Sequence, residues 1–284
     1  MTSVIASNPE HASSEPLLPE VRRMAWPILA LTVANGIFLY GLPQLAATWY
    51  AWPIKPAINA AFMGTGYLIG VVGIIPTLFV VRSWRSLLVP LNAFFVLAAM
   101  HVIVTLMHAE KFRWDYPLTW AWMFVYTVIP IGVVRTHMRQ ARVTSTSLAR
   151  KKLHISSPAF LCLGVIVMIL AIGLFTVPQA LAAVWPWPIT PLLARVFSSW
   201  YTFMALLLIL CATSTRQASE LLMTGIMLIV WSVLLLLLPV LHPLEIRART
   251  PFALWVGLHF VLFAVSAWTT MQAYRTTKLE QQIW

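Results

Sequence analysis

Long apolar runs, each close to twenty residues, follow one another along the whole chain, separated by short charged or proline-rich breaks. Helices of that length reach across a hydrocarbon layer about 30 Å thick. The pattern predicts eight of them. In the first half they cover Met24–Leu42, Ala57–Val81, Ser86–Met107 and Pro117–Val134. In the second they cover Pro158–Val177, Pro191–Ala212, Glu220–Leu241 and Pro251–Gln272. The expected class is an all-α integral membrane protein.

Composition sharpens this reading. Of 284 residues, 60% are hydrophobic and only 10% charged, with a mean hydropathy of +0.83. A soluble domain carries about 25% charged residues, so most of this surface is expected to face lipid. The net charge of +11 does not point to nucleic acid, because the basic residues lie in short loops and form no separate basic domain. They read as topology signals and contacts for anionic headgroups. One side collects 13 Lys and Arg, including the central RTHMRQARVTSTSLARKKLH stretch. The other side has five: Lys55, Lys111, Arg113, Arg247 and Arg249. The positive-inside rule then places both termini in the cytoplasm, in a plasma membrane of bacterial type. Cys162 and Cys211 fall near helix ends on that same side and read as buried, inert thiols and not as a disulfide.

The two halves repeat. At an offset of 135, PQLAATWYAWPIKPAINAAF (Pro43–Phe62) lies over PQALAAVWPWPITPLLARVF (Pro178–Phe197), with eight of twenty positions identical. At 134, HAEKFRWDYP lies over HPLEIRARTP, matching His, Arg and Pro. Shared hydrophobicity alone would not align these polar residues and prolines. The chain therefore reads as a duplicated four-helix unit. Its expected divisions are a disordered tail (1–23), a first repeat (24–134), a basic linker (135–157), a second repeat (158–273) and a tail (274–284). Four spans per unit is an even number, so both copies are expected to insert the same way up, side by side. Small-residue faces such as GTGYLIGVVG (Gly64–Gly73) are expected to pack them.

The Trp-Pro phrase, WYAWPIKP and WPWPITP, closes the first hairpin of each unit on the outer side. Pro43, Pro53 and Pro56, and their counterparts Pro178, Pro186, Pro188 and Pro191, predict rigid non-helical turns. Tryptophan favours the headgroup layer. The plain interpretation is an aromatic hairpin lying in the interface. The functional alternative is a paired aromatic rim around an outward-facing cleft between the repeats, with Gln44, Trp52, Gln179, Trp187 and Arg195 as its ligand-binding residues.

No Asp or Glu falls inside a span, Glu220 standing at the cytoplasmic start of its helix, which argues against a buried carboxylate relay. His101 and His259, from different halves, sit at similar depth, roughly 10–12 Å below the outer boundary. They read either as axial ligands of a b-type haem or contacts to a quinone headgroup, or as unrelated histidines bonded to backbone. No nucleophile–histidine, zinc or phosphate-loop motif is present, and no paired carboxylates suited to hydrolysis, so an enzyme is not expected. Three functions stay open. They are a transport-type or small-molecule- or lipid-binding protein, a haem- or quinone-binding anchor of a redox complex, and a non-catalytic scaffold. The expected partners are the bilayer with its anionic headgroups, and a membrane-protein partner or a second copy. The leading reading requires no cofactor; haem or quinone belongs to the second.

Overall fold

The computed structural model describes residues 17–81, 84–143, 157–214, 218–247 and 249–282. All regular structure among them is helical. The first half holds α1 (Pro19–Gly36), a short α2 (Ala46–Trp49), α3 (Ala57–Phe79), α4 (Arg85–Met107) and α5 (Pro117–Val143). The second holds α6 (Ser157–Thr176), a short α7 (Pro178–Ala183), α8 (Pro191–Ser214), α9 (Ala218–Leu241) and α10 (Arg249–Gln282). The eight long helices are long and apolar enough to cross a membrane. Large apolar side chains such as Phe79, Ile131, Val240, Leu254 and Phe260 point outward, as a lipid-facing surface requires. The segments 1–16 and 144–156, which hold most of the expected tail and central linker, lie outside the described residues.

Apolar windows locate the spans better than the helix ends. α5 continues to Val143 and α10 to Gln282, past the predicted ends at 134 and 272. Arg, Gln, Lys and Leu are good helix formers whether or not lipid surrounds them. α1 starts at Pro19, where the missing N–H costs nothing. It ends in a π-helical turn, Ile37–Gly41.

Packing follows one rule in both halves. α1 lies on α3 as α6 lies on α8, and α4 meets α5 as α9 meets α10. Between halves, α8 packs on α4 and α3 packs on α9, while α3 and α8 touch at the centre and are the most buried spans. Small residues permit the close approaches. A Cβ at Gly64 would come within 2.6 Å of the Tyr40 amide nitrogen, so the π turn of α1 rests directly on α3. A Cβ at Gly70 would sit 3.2 Å from Thr32. At Gly66 it would run into the indole of Trp200 on α8. These are the contacts expected of the Gly64–Gly73 stretch.

The Trp-Pro hairpins differ from the expectation in two ways. Pro43 and Pro178 do not break into loops but start short helices, Pro43–Leu45 (3-10) and α7. The first turn of a helix tolerates proline, because its N–H would lack a partner there anyway. The non-helical parts of the hairpins are Leu42 and 50–56 in the first, Val177 and 184–190 in the second. Second, the hairpins fold inward: Trp52 is 2% exposed and Trp187 1%, whereas Trp49 keeps 55% of its surface. Matching backbone bonds pin the two hairpins, Arg113 N to Ala51 O at 3.0 Å and Arg247 N to Pro186 O at 2.9 Å. Asn59 on α3 ties the second hairpin to the first half. It accepts from Trp187 Nε1 at 2.8 Å and donates to the Pro188 carbonyl at 3.0 Å. A buried indole N–H and a buried amide satisfy each other there. Glu245 adds a second tie by accepting from the Ile58 amide at 2.7 Å, which caps the start of α3.

Candidate functional site

The residues singled out in the sequence go to different places. Gln44 and Gln179 are exposed at the Trp-Pro end. Trp52 packs against Tyr50, Phe112 and Trp122, and Trp187 against Trp185 and Trp255. Arg195 is half-buried and engaged: its Nε donates to the Phe175 carbonyl at 3.2 Å, and its Nη1 lies 2.8 Å from His108 Nε2. Arginine can only donate, so His108 accepts on Nε2 and holds its proton on Nδ1. Burial, and then the Arg195 charge, hold the His108 pKa below its ordinary 6.5.

His101 and His259 are each anchored by Nδ1 to the carbonyl four residues earlier, Leu97 at 2.9 Å and Trp255 at 2.7 Å. That fixes Nδ1 as donor and leaves Nε2 with its lone pair. Around His101 the ring of Tyr126 stacks at 4.5 Å and 8°, with Trp122 and Trp200 close by. Its Nε2 is buried with no partner among the described residues. His259 Nε2 lies 3.4 Å from the Tyr201 hydroxyl. Among the described residues, no cluster of three or more His, Cys, Asp or Glu is placed to hold a metal ion.

A cavity of about 470 Å³ opens beside the rings that surround His101, between helices of the first half and α8. α1 forms one wall through Leu31, Asn35 and Phe38, and α5 forms the other through Leu118, Val125 and Ile129. Gly66 and Tyr67 of α3, Phe94 and Leu97 of α4, and Trp200 and Phe203 of α8 form its floor. None of the five sequence-selected ligand residues lines it. A second cavity of about 160 Å³ continues towards the end that carries the chain termini. The two share Ile28, Thr32, Gly70, Phe94, Ile129 and Phe203, so they form one groove. α1 and α5 converge at that far end: Met24 meets Gly132 and Thr136, and Glu20 pairs with Arg139. Towards the Trp-Pro end the larger cavity lies between the two helices, bordered by the exposed Leu31 and Leu118 and the half-buried Asn35.

Along the groove the hydroxyls of Thr32, Thr77 and Thr136 are bonded to helix carbonyls, the phenols gather at its head, and no charged residue among those described lines either cavity. At the head the phenol of Tyr67 lies 2.6 Å from that of Tyr126 and 3.4 Å from that of Tyr50. Sequence reading missed these tyrosines. They come from the hairpin, α3 and α5, separated by 17 and 59 residues, and each is lost inside an apolar window. The single clue was a phenol oxygen on an otherwise apolar side chain in three separate spans or turns, which no linear pattern joins.

No protein family model matches the chain, and no curated protein or solved structure matches it either.

Proposed function

We propose that the chain is an integral membrane protein that binds a lipid-like amphiphile in the groove between α1 and α5. The carrying observation is the groove itself: largely apolar, set between two helices long enough to span a bilayer, with the phenols gathered at one end and the hydroxyls of Thr32, Thr77 and Thr136 along it bonded to helix carbonyls. A groove between spans at that depth borders acyl chains, so its natural occupant enters from the membrane and not from water. The combined volume suits a small molecule with an apolar chain.

The proposal includes two same-orientation four-helix repeats. Matched pairs support it: α4–α8 contact mirrors α9–α3, and the hairpin bonds of Ala51 and Pro186 mirror each other. The Trp52–Trp122 pair (4.9 Å, 82°) repeats as Trp187–Trp255 (5.2 Å, 81°). On this reading duplication supplied the scaffold, and the groove belongs to the copy in which α1 lies less extensively along α3 than α6 does along α8. The positive-inside bias places the termini in the cytoplasm and the groove head on the outer side.

Mass spectrometry of lipid retained by the purified protein tests the binding. A stoichiometric amphiphile is expected with the native chain and its loss with Ala121→Trp, which fills the groove from α5. Equal retention in both, with unchanged melting, would remove the groove as the site. Impermeant maleimide added to intact cells is expected to label a cysteine at Gln44 in a Cys162→Ser, Cys211→Ala background. Labelling only after lysis would reverse the orientation.

A further inference from the structure

The head of the groove carries hydrogen-bond donors that the protein does not use. Tyr50, Tyr67 and Tyr126 contribute three hydroxyl hydrogens, and the two contacts among them consume two. Whichever way the chain of bonds runs, one O–H hydrogen is left over. Trp200, 3% exposed and part of the cavity wall, has an Nε1–H with no acceptor among the described residues. Buried donors without acceptors are costly, and native proteins rarely keep them.

The second half makes the contrast. There Trp255 Nε1 donates to the Tyr201 hydroxyl at 2.8 Å, and Tyr201 lies 3.4 Å from the acceptor Nε2 of His259. That set closes on itself: indole to phenol to imidazole to backbone. Trp255 packs on Trp187 as Trp122 packs on Trp52, and His259 follows Trp255 by four residues as Tyr126 follows Trp122, each against its tryptophan. Exchange of an accepting imidazole for a donating phenol converts a closed set into an open one. Trp122 meanwhile spends its own N–H on Thr105 at 3.0 Å.

We infer that the groove selects an uncharged amphiphile whose head presents a carbonyl oxygen to Tyr67, Tyr126, Tyr50 and Trp200, with its apolar chain running towards Met24 and Thr136. The inference rests on the groove being a lipid site. Among the described residues no lysine, arginine or carboxylate lines its walls, which disfavours phosphate, carboxylate and ammonium heads at the Tyr67 end, where they would lose hydration with no counter-charge. Carbonyl oxygens with two lone pairs accept from a phenol and an indole together. A prenylated quinone and a diacylglycerol share this chemistry.

The test uses the full chain in nanodiscs with four probes: a short-chain ubiquinone, a dioctanoylglycerol, the matching dioctyl glycerol ether and dioctanoyl phosphatidylglycerol. Affinities come from equilibrium titration, and the ¹³C-labelled carbonyl stretch reports hydrogen bonding. At least one of the two carbonyl probes is expected to bind about tenfold more tightly than the ether and the phosphatidylglycerol. Its carbonyl stretch should shift down on binding, and the shift should be reduced in Tyr67→Phe and Tyr126→Phe. Whichever carbonyl probe binds names the source. Thr127→Ala, on the exposed face of α5, should change nothing. Equal binding of ether and ester, both abolished by Ala121→Trp, would overturn the carbonyl assignment while the groove stands. Preferred binding of phosphatidylglycerol would overturn it too. Failure of all four probes to respond to Ala121→Trp would remove the groove and the head assignment together.

Discussion

Phe62 and Phe197 stack with ring centroids 4.0 Å apart and planes 31° from parallel. They are counterparts, 135 positions apart, at the ends of the two matched twenty-residue stretches. A residue that touches its own counterpart lies beside whatever axis relates two copies. The proposed twofold therefore passes between these rings, where α3 meets α8. Both rings are 1% exposed or less, so the junction of the halves is apolar and dry at this level. A continuous cleft between the repeats has no room there.

Removal of either ring is expected to destabilise the protein by about 3–5 kcal/mol, the usual cost of a buried Phe→Ala cavity. The double variant should cost less than the sum, because both changes open one shared cavity. Thermal or SDS unfolding of the purified native, single and double variants measures this. Strict additivity would separate the two rings energetically.

Trp52 and Trp187 occupy equivalent positions but should not respond equally. Trp187 gives its N–H to Asn59, whereas the Trp52 Nε1 has no partner among the described residues. The position equivalent to Asn59 in the second half is Ala194, which offers no side-chain acceptor. Trp187→Phe is expected to cost more than Trp52→Phe by about 1–3 kcal/mol, since it strands the Asn59 carbonyl oxygen. The two melting shifts compared side by side test this.

Glycines separate into those under a neighbour and those in the open. Gly64→Leu would push a Cβ into the backbone of the π turn at 2.6 Å and is expected to prevent α1 from seating on α3. Gly257→Ala meets nothing within 4 Å and lies inside α10, so it should stabilise by up to about 1 kcal/mol through helix propensity. Yield of monodisperse protein and melting temperature distinguish the two outcomes.

His108 makes stability depend on pH. Its folded pKa lies below the ordinary 6.5, so the unfolded chain binds the proton more readily. Stability contributed by the neutral imidazole is complete above about 6.5 and is lost as pH falls through the depressed folded value. Protonation also sets the ring against Arg195 and removes its acceptor. Melting temperature is expected to fall between pH 7 and pH 5, and to fall less in His108→Gln. An equal slope in both proteins would place the sensitivity on another group.

Eight spans and their order followed from the sequence alone, because a helix in lipid must be apolar over a fixed length and the chain can hardly conceal that. The matched stretches Pro43–Phe62 and Pro178–Phe197 likewise announced two related hairpins. Helix ends were less legible, since Arg139 or Gln282 is as content in a helix as beyond it. Tertiary packing decided the rest. Hydropathy gives an indole one value whether it lies in the interface or in the core, so Trp52 and Trp187 could be placed only once their neighbours were known. The groove lies between α1 and α5, and its head joins residues from the hairpin, α3, α5 and α8. Distance between helices is a property of side chains that meet across the bundle, and a linear pattern carries no record of which ones do.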